Sequence, residues 1–107
     1  MPKERKTEHP HIVRTDGIVG GRPRIKGTRI SVELIARFFK DGTTPQEILD
    51  TYPHLKAAAV YDAISYYLDH QEEIDAEIAE GSIERLKEKY GFEIDDRGFV
   101  RFKQDAR

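Results

Sequence analysis

The hydrophobic period changes at Ser31, and no other feature restricts the fold as much. Upstream, "HIVRTDGIVGGRPRIKGTRI" (residues 11–30) offers β-branched pieces at Ile12-Val13, Ile18-Val19, Ile25, Thr28 and Ile30. They are punctuated by Asp16-Gly17, Gly20-Gly21 and Gly27. This is the spacing of short strands joined by tight turns. Pro23 has no N–H to give to a ladder, so a strand through it belongs at an edge or a bulge. From Ser31 onward the pattern is helical. Val32, Leu34, Ile35, Phe38 and Phe39 form one apolar stripe, with Ser31 as N-cap and Gly42 as the stop.

Helix punctuation continues along the chain. Thr44, Pro45 and Glu47 spell a capping box with proline at the first helical position, and Pro53 ends that helix after about two turns. A third helix is expected from Leu55 or Lys56. Val60, Ile64, Tyr67, Gln71, Ile74 and Ile78 recur at alternating steps of four and three and predict one long helix to Gly81, its second half packed on a partner chain. "SIERLKEKYG" predicts a further short helix with Ile83, Leu86 and Tyr90 inward. "FEIDDRGFVRF" predicts a closing hairpin around Asp96-Arg97-Gly98.

The expected fold is therefore mainly α with small β elements. Residues 1–10 read as a flexible basic tail and residues 11–68 as a β-arm with a helix-turn-helix domain. Residues 69–107 read as an acidic helix extension with a C-terminal hairpin, the candidate partner-binding region. Its candidate contacts are Ile74, Ile78, Phe92, Ile94, Phe99 and Phe102.

Composition narrows the function. There is no cysteine, which removes disulfides, thiolate metal sites and cysteine nucleophiles. No apolar run has the length of a signal-peptide core or a membrane span, so the expectation is a cytoplasmic protein. At 107 residues the chain buries a modest core, and such domains often recruit a second copy. The net charge of −2 conceals an asymmetry. Residues 1–37 carry nine Lys/Arg against four Asp/Glu, a balance of +5; the remainder carries nine against sixteen, a balance of −7. A basic front suits nucleic acid, and an acidic rear suits a basic partner or is a solvated face.

Enzymatic chemistry finds no support. A phosphate loop needs Lys directly after its last glycine, whereas this chain reads Lys26-Gly27-Thr28. His9 and His11 stand two apart without a second ligand pair, and His54 and His70 are isolated, so no metal or cofactor is expected. The pairs Asp95-Asp96 and Glu72-Glu73 read as turn and solvated-face residues, and Ser31, Ser65 and Ser82 lack a base partner. The chain is not expected to be an enzyme.

DNA binding fits the residues better. Three short helices with tight joints between residues 31 and 68 have a helix-turn-helix layout, in which the third enters the major groove. Its leading residues would be Lys56, Ala57 and Tyr61, with Ser65 after them. They offer little to base edges, and Asp62 repels phosphate. Affinity then falls to the arm: Arg14, Arg22, Arg24, Lys26 and Arg29. Strand alternation along "RPRIK" sets Arg22, Arg24 and Lys26 on one side, where they suit phosphate contact. The arm equally suits a dimerisation strand whose charges keep an edge soluble, and the residues leave both readings open.

Several short motifs occur in order: Gly21-Arg22-Pro23, Gly27-Thr28-Arg29-Ile30, Gly42, Thr44-Pro45-Gln46-Glu47-Ile48-Leu49 and Tyr52-Pro53-His54-Leu55. Over about half of its length the chain resembles the domain-of-unknown-function-433 family, small VapB-like antitoxins often encoded beside PIN-domain-like toxins. The resemblance implies a homeodomain-like helix-turn-helix with a β-arm and a homodimer. It also implies autorepression at the protein's own promoter and neutralisation of a ribonuclease toxin by segments outside the DNA-binding core. The family commonly has Thr or Ser after Tyr-Pro-x-Leu as the third helix's cap; here Lys56 stands there, a weaker cap beside the expected DNA phosphates. A protein-interaction module without DNA binding, acting through the C-terminal region, is the competing reading.

Overall fold

The computed structural model describes residues 3–94, 97 and 100–102, and two compact units divide the chain at Asp75. In the first unit, β1 (Glu4–Lys6), β2 (Ile12–Thr15) and β3 (Arg24–Ile25) form an antiparallel sheet in the order β1-β2-β3. The register sets Arg5 opposite Arg14 and Val13 opposite Arg24. Three helices follow: α1 (Val32–Lys40), α2 (Pro45–Thr51) and α3 (Ala57–Asp69). The second unit, Ala76–Arg107, contains most of α4 (Gln71–Tyr90) and the hairpin of β4 (Phe92–Ile94) with β5 (Val100–Phe102). The architecture is mixed and mainly helical, and among the described residues no helix is long and apolar enough to cross a membrane.

Local chemistry places the helix starts where the sequence puts them. The Ser31 hydroxyl accepts from the Leu34 N–H at 3.1 Å. Thr44 accepts from the Glu47 N–H at 3.2 Å while the Glu47 carboxylate accepts from the Thr44 N–H at 3.0 Å, a complete capping box. The bond from the Thr44 N–H, with a second from the Thr44 hydroxyl, stabilises the charged carboxylate and holds Glu47 below the usual carboxylate range. Gly42, at φ +83°, closes α1 in a conformation that side-chain-bearing residues rarely adopt. The core beneath joins Ile12 and Val13 of β2 to Val32, Ile35 and Ala36 of α1, Ile48 of α2, and Val60 and Ala63 of α3.

Four expectations fail, each for a tertiary or conformational reason. Residues 4–6 pair as β1 and His9 is buried, so the expected tail is a strand and strap. Ile18-Val19 is no strand: a tight 3-10 turn spans Val19–Gly21. The single long helix breaks at His70, whose φ of −132° and ψ of 41° lie outside the helical region. Its ring stacks on Tyr66 with centroids 4.2 Å apart, and it pairs with Glu8 of the strap. The break resets the helical phase. Gln71 is consequently exposed, and Ile74 is fully buried in the first unit rather than offered to a partner. Finally, Gly81 ends nothing, because α4 runs through it and absorbs the separate helix expected from Ser82.

Candidate functional site

The arm's basic residues divide into those used inside the fold and those left outside. Arg14 donates to the Tyr66 hydroxyl at 3.1 Å and pairs with Glu73. Burial alone would lower the Arg14 pKa, but the two partners outweigh it and the net shift is upward. Arg22 pairs with Glu33 at 3.2 Å, which helps α1 carry a buried carboxylate on its inner side. Arg24 is only 5% exposed. It donates to the Thr28 carbonyl at 2.9 Å and the Thr15 hydroxyl at 2.8 Å. The alternation expected of "RPRIK" therefore fails: Pro23, Arg24 and Ile25 are consecutively buried, and Arg22, Arg24 and Lys26 share no exposed face. A two-residue strand covered on both sides cannot sort its neighbours by alternation.

Arg24 acts from within. By holding the Thr28 carbonyl it fixes the turn from β3 to α1. The Thr28 hydroxyl braces the same turn, donating to the Ile25 carbonyl at 2.8 Å and accepting from the Ile30 N–H at 3.0 Å. Gly27, at φ +81°, lets the chain reverse there. The Lys26 N–H donates to the His11 carbonyl at 2.9 Å, which joins the turn to the strap.

The outer side of that turn is one wall of a groove of about 290 Å³. Lys26, Gly27 and Thr28 form this wall; His54 and Lys56, from the joint between α2 and α3, form the other, and His11 lines it as well. Ile25, Leu55 and Ala59 complete the lining, which among the described residues includes no carboxylate. Lys26, His54 and Lys56 are exposed, and Lys26 has only a 4.0 Å approach to Glu4, an exposed pair of little strength. Arg29, next along the turn, is exposed too. Lys56 is the N-cap of α3 but gives no side-chain cap, so that helix begins without the acceptor a Thr or Ser would supply. The arrangement suits an anionic group that meets Lys26 and Lys56 at once.

Of the expected site residues, the structure brings Lys26 and Lys56 together and leaves Arg29 exposed nearby in the chain. Arg14, Arg22 and Arg24 are engaged internally. Tyr61 stands 59% exposed on the outer side of α3. Ile78 is half-buried; Phe99 and the side chains of Phe92, Ile94 and Phe102 lie outside the described residues, as do Asp96 and Gly98 of the expected hairpin turn.

The residues missed by sequence reasoning are His11, His54 and His9. His9 is clamped between two carboxylates, with Nδ1 2.8 Å from Asp62 and Nε2 2.7 Å from Asp69, and the His11 N–H also donates to Asp62 at 2.9 Å. Asp62, expected to repel phosphate, is thus occupied within the fold. No spacing in the sequence announces a contact across 53 residues.

The comparisons with known proteins cover the same region. No curated protein matches the chain. The crystal structure of a DUF433 member protein from Anabaena variabilis ATCC 29413 is similar, with 39% identity and a TM-score of 0.61 over 64% of this chain and 68% of that one. The family model described as "Protein of unknown function (DUF433)" matches residues 12–67, from the start of β2 almost to the end of α3, which is more than half of the 107 residues. On that match the chain belongs to the DUF433 family.

Proposed function

We propose that the protein is a DNA-binding antitoxin that represses its own operon, with its phosphate contacts made through the groove between the β3–α1 turn and the start of α3. The observation that carries the reading is the convergence of His11, Lys26, His54 and Lys56 on one groove whose lining, among the described residues, holds no carboxylate, with Arg29 exposed beside Thr28 in the chain. The finer fold reading, a homeodomain-like helix-turn-helix, belongs to the same proposal. It is supported by the short joint of residues 52–56 between α2 and α3 and by the packing of α1 against α3. Neutralisation of a PIN-domain-like ribonuclease rests on the family resemblance, with the segment from Asp69 to Glu80 offered to a basic toxin surface. Within that segment Asp69, Glu73 and Asp75 already make contacts inside the fold.

Fluorescence anisotropy of the full chain on its own upstream DNA, at low and moderate salt, tests this. Binding should weaken steeply with salt. Lys26→Ala/Lys56→Ala should flatten the slope of log affinity against log salt by about 2, roughly one for each lost phosphate contact. Arg24 is unsuitable as a probe, because truncating it disturbs the turn itself. Absence of binding even in dilute salt would overturn the reading.

A further inference from the structure

The strap of residues 7–11 is tied on one side to α3 and on the other to the wall of the groove. Asp62 uses both carboxylate oxygens: one lies 2.8 Å from His9 Nδ1, and the other accepts from the His11 N–H at 2.9 Å. Asp69, further along α3, lies 2.7 Å from His9 Nε2. The His11 carbonyl accepts from the Lys26 N–H at 2.9 Å, and both residues line the groove. The groups that face His9 are Asp62, Asp69 and the Tyr66 ring from α3, Glu8 beside it in the strap, and Lys6 and Lys26, which line a cavity of about 230 Å³ with it. Around Tyr66 follow Arg14 on its hydroxyl, His70 stacked on its ring, and Glu73, which pairs with both.

The two sides of the His9 clamp respond differently to loss of a proton. A neutral ring keeps one N–H for two carboxylates. The Asp62 side chain is 15% exposed and the Asp69 side chain 60%. Asp62 has little water to turn to and keeps the N–H on Nδ1. Nε2 then presents a lone pair to Asp69, and two acceptors at that distance repel. Asp69 is exposed enough to swing into solvent. We propose that the strap is a proton-operated latch: when His9 loses one ring proton, the strap lifts from α3 more often, and the groove wall carried by His11 and Lys26 slackens with it. The closed latch holds a proton that the open one releases, so opening grows as pH rises, by at most about tenfold per pH unit for one proton. The core of α1, α2 and α3 does not run through the strap, so this opening is local and easier than unfolding.

Amide hydrogen exchange of the full chain without DNA, followed residue by residue by NMR from about pH 6 to about pH 8.5, tests the latch. The His11, Ile12 and Lys26 amides, which bond to Asp62, His9 and His11, report the strap and the groove wall. The Ile48 and Val60 amides, within α2 and α3, report unfolding of the whole core. After correction for the pH dependence of unprotected exchange, protection of the first three should fall by about tenfold across the range and stay about tenfold or more below that of Ile48 and Val60 throughout. Asp69→Asn is the discriminating variant, because its amide can donate to the bare Nε2 and satisfy the neutral ring. Its strap amides should change by less than about twofold over the same range. The consequence for the groove rests on the DNA reading: affinity for DNA should fall more steeply with pH in the wild type than in Asp69→Asn, since His11 and His54 are common to both. Absence of DNA binding at every pH would overturn that reading and leave exchange to decide the latch. Wild-type strap protection that is flat with pH, strap amides as protected as Ile48 and Val60, or an Asp69→Asn strap that opens with pH as the wild type does would overturn the proposal.

Discussion

His9 shows how much one residue can contribute once the fold surrounds it. Both ring nitrogens lie within hydrogen-bond distance of a carboxylate, an arrangement that only the doubly protonated, cationic ring satisfies with two donors. Glu8 approaches within 3.9 Å, and the Tyr66 ring packs edge-on at 5.2 Å. Burial pushes the His9 pKa down, but the bonds and charges of Asp62 and Asp69 push harder, so the net shift is upward from 6.5. A group whose pKa is higher folded than unfolded stabilises the fold fully below its unfolded value, and that contribution is lost as pH rises through the folded value. Stability should therefore decline as pH is raised from about 6.5 toward the raised folded value. His9→Gln should cost about 1–3 kcal/mol at pH 6 and remove this component of the decline. Urea denaturation of both proteins at several pH values checks it. Identical pH profiles would show that the clamp contributes nothing.

At the scale of elements, α2 and α3 begin in opposite ways. α2 has Thr44 and Glu47 locked in a capping box, whereas α3 starts at Lys56, which has no oxygen on its side chain to accept a first-turn N–H. If the lysine is kept for the groove rather than for the helix, Lys56→Thr should separate the two properties. The variant should gain about 0.5–1 kcal/mol from the new cap and lose affinity for DNA. Thermal unfolding and anisotropy on the same preparation measure both. A variant that binds DNA as tightly as the wild type would detach Lys56 from the groove's function. The ends of α1 and α2 were legible in the sequence because the caps at Ser31 and Thr44, the Gly42 stop and the Pro45 start act over three or four residues, whereas Gly81 stops nothing. The break at His70 was not legible. It coincides with a stack on Tyr66 and a pairing with Glu8, and the second of these partners is 62 residues away.

For the first unit as a whole, the strap from β1 to His11 lies outside the matched family region of residues 12–67 yet is bound into it. It pairs with β2, holds Asp62 and Asp69 through His9, and meets His70 through Glu8. Deleting residues 1–10 should accordingly destabilise the protein by about 2 kcal/mol or more, since Asp62 would be left half-buried without its charged partner. Chemical denaturation of the truncated chain is the measurement, and an unchanged midpoint would mean that the strap only rests on the surface. Within the same unit, Lys40 at the end of α1 ties to Asp75 at 2.9 Å, and the Tyr67 hydroxyl donates to the same carboxylate. Those two bonds hold Asp75 below the usual carboxylate range. What the sequence alone determined is the switch from strand pieces to helices at Ser31, the two capped helix starts and the absence of cysteine chemistry, since composition and short-range hydrogen bonding decide them. Which cations remain free was decided only by the tertiary structure. Arg14 and Arg24 look like Lys26 and Arg29 along the chain. Whether a guanidinium faces a buried carbonyl, a carboxylate 59 residues away or open solvent depends on how the strands and helices pack.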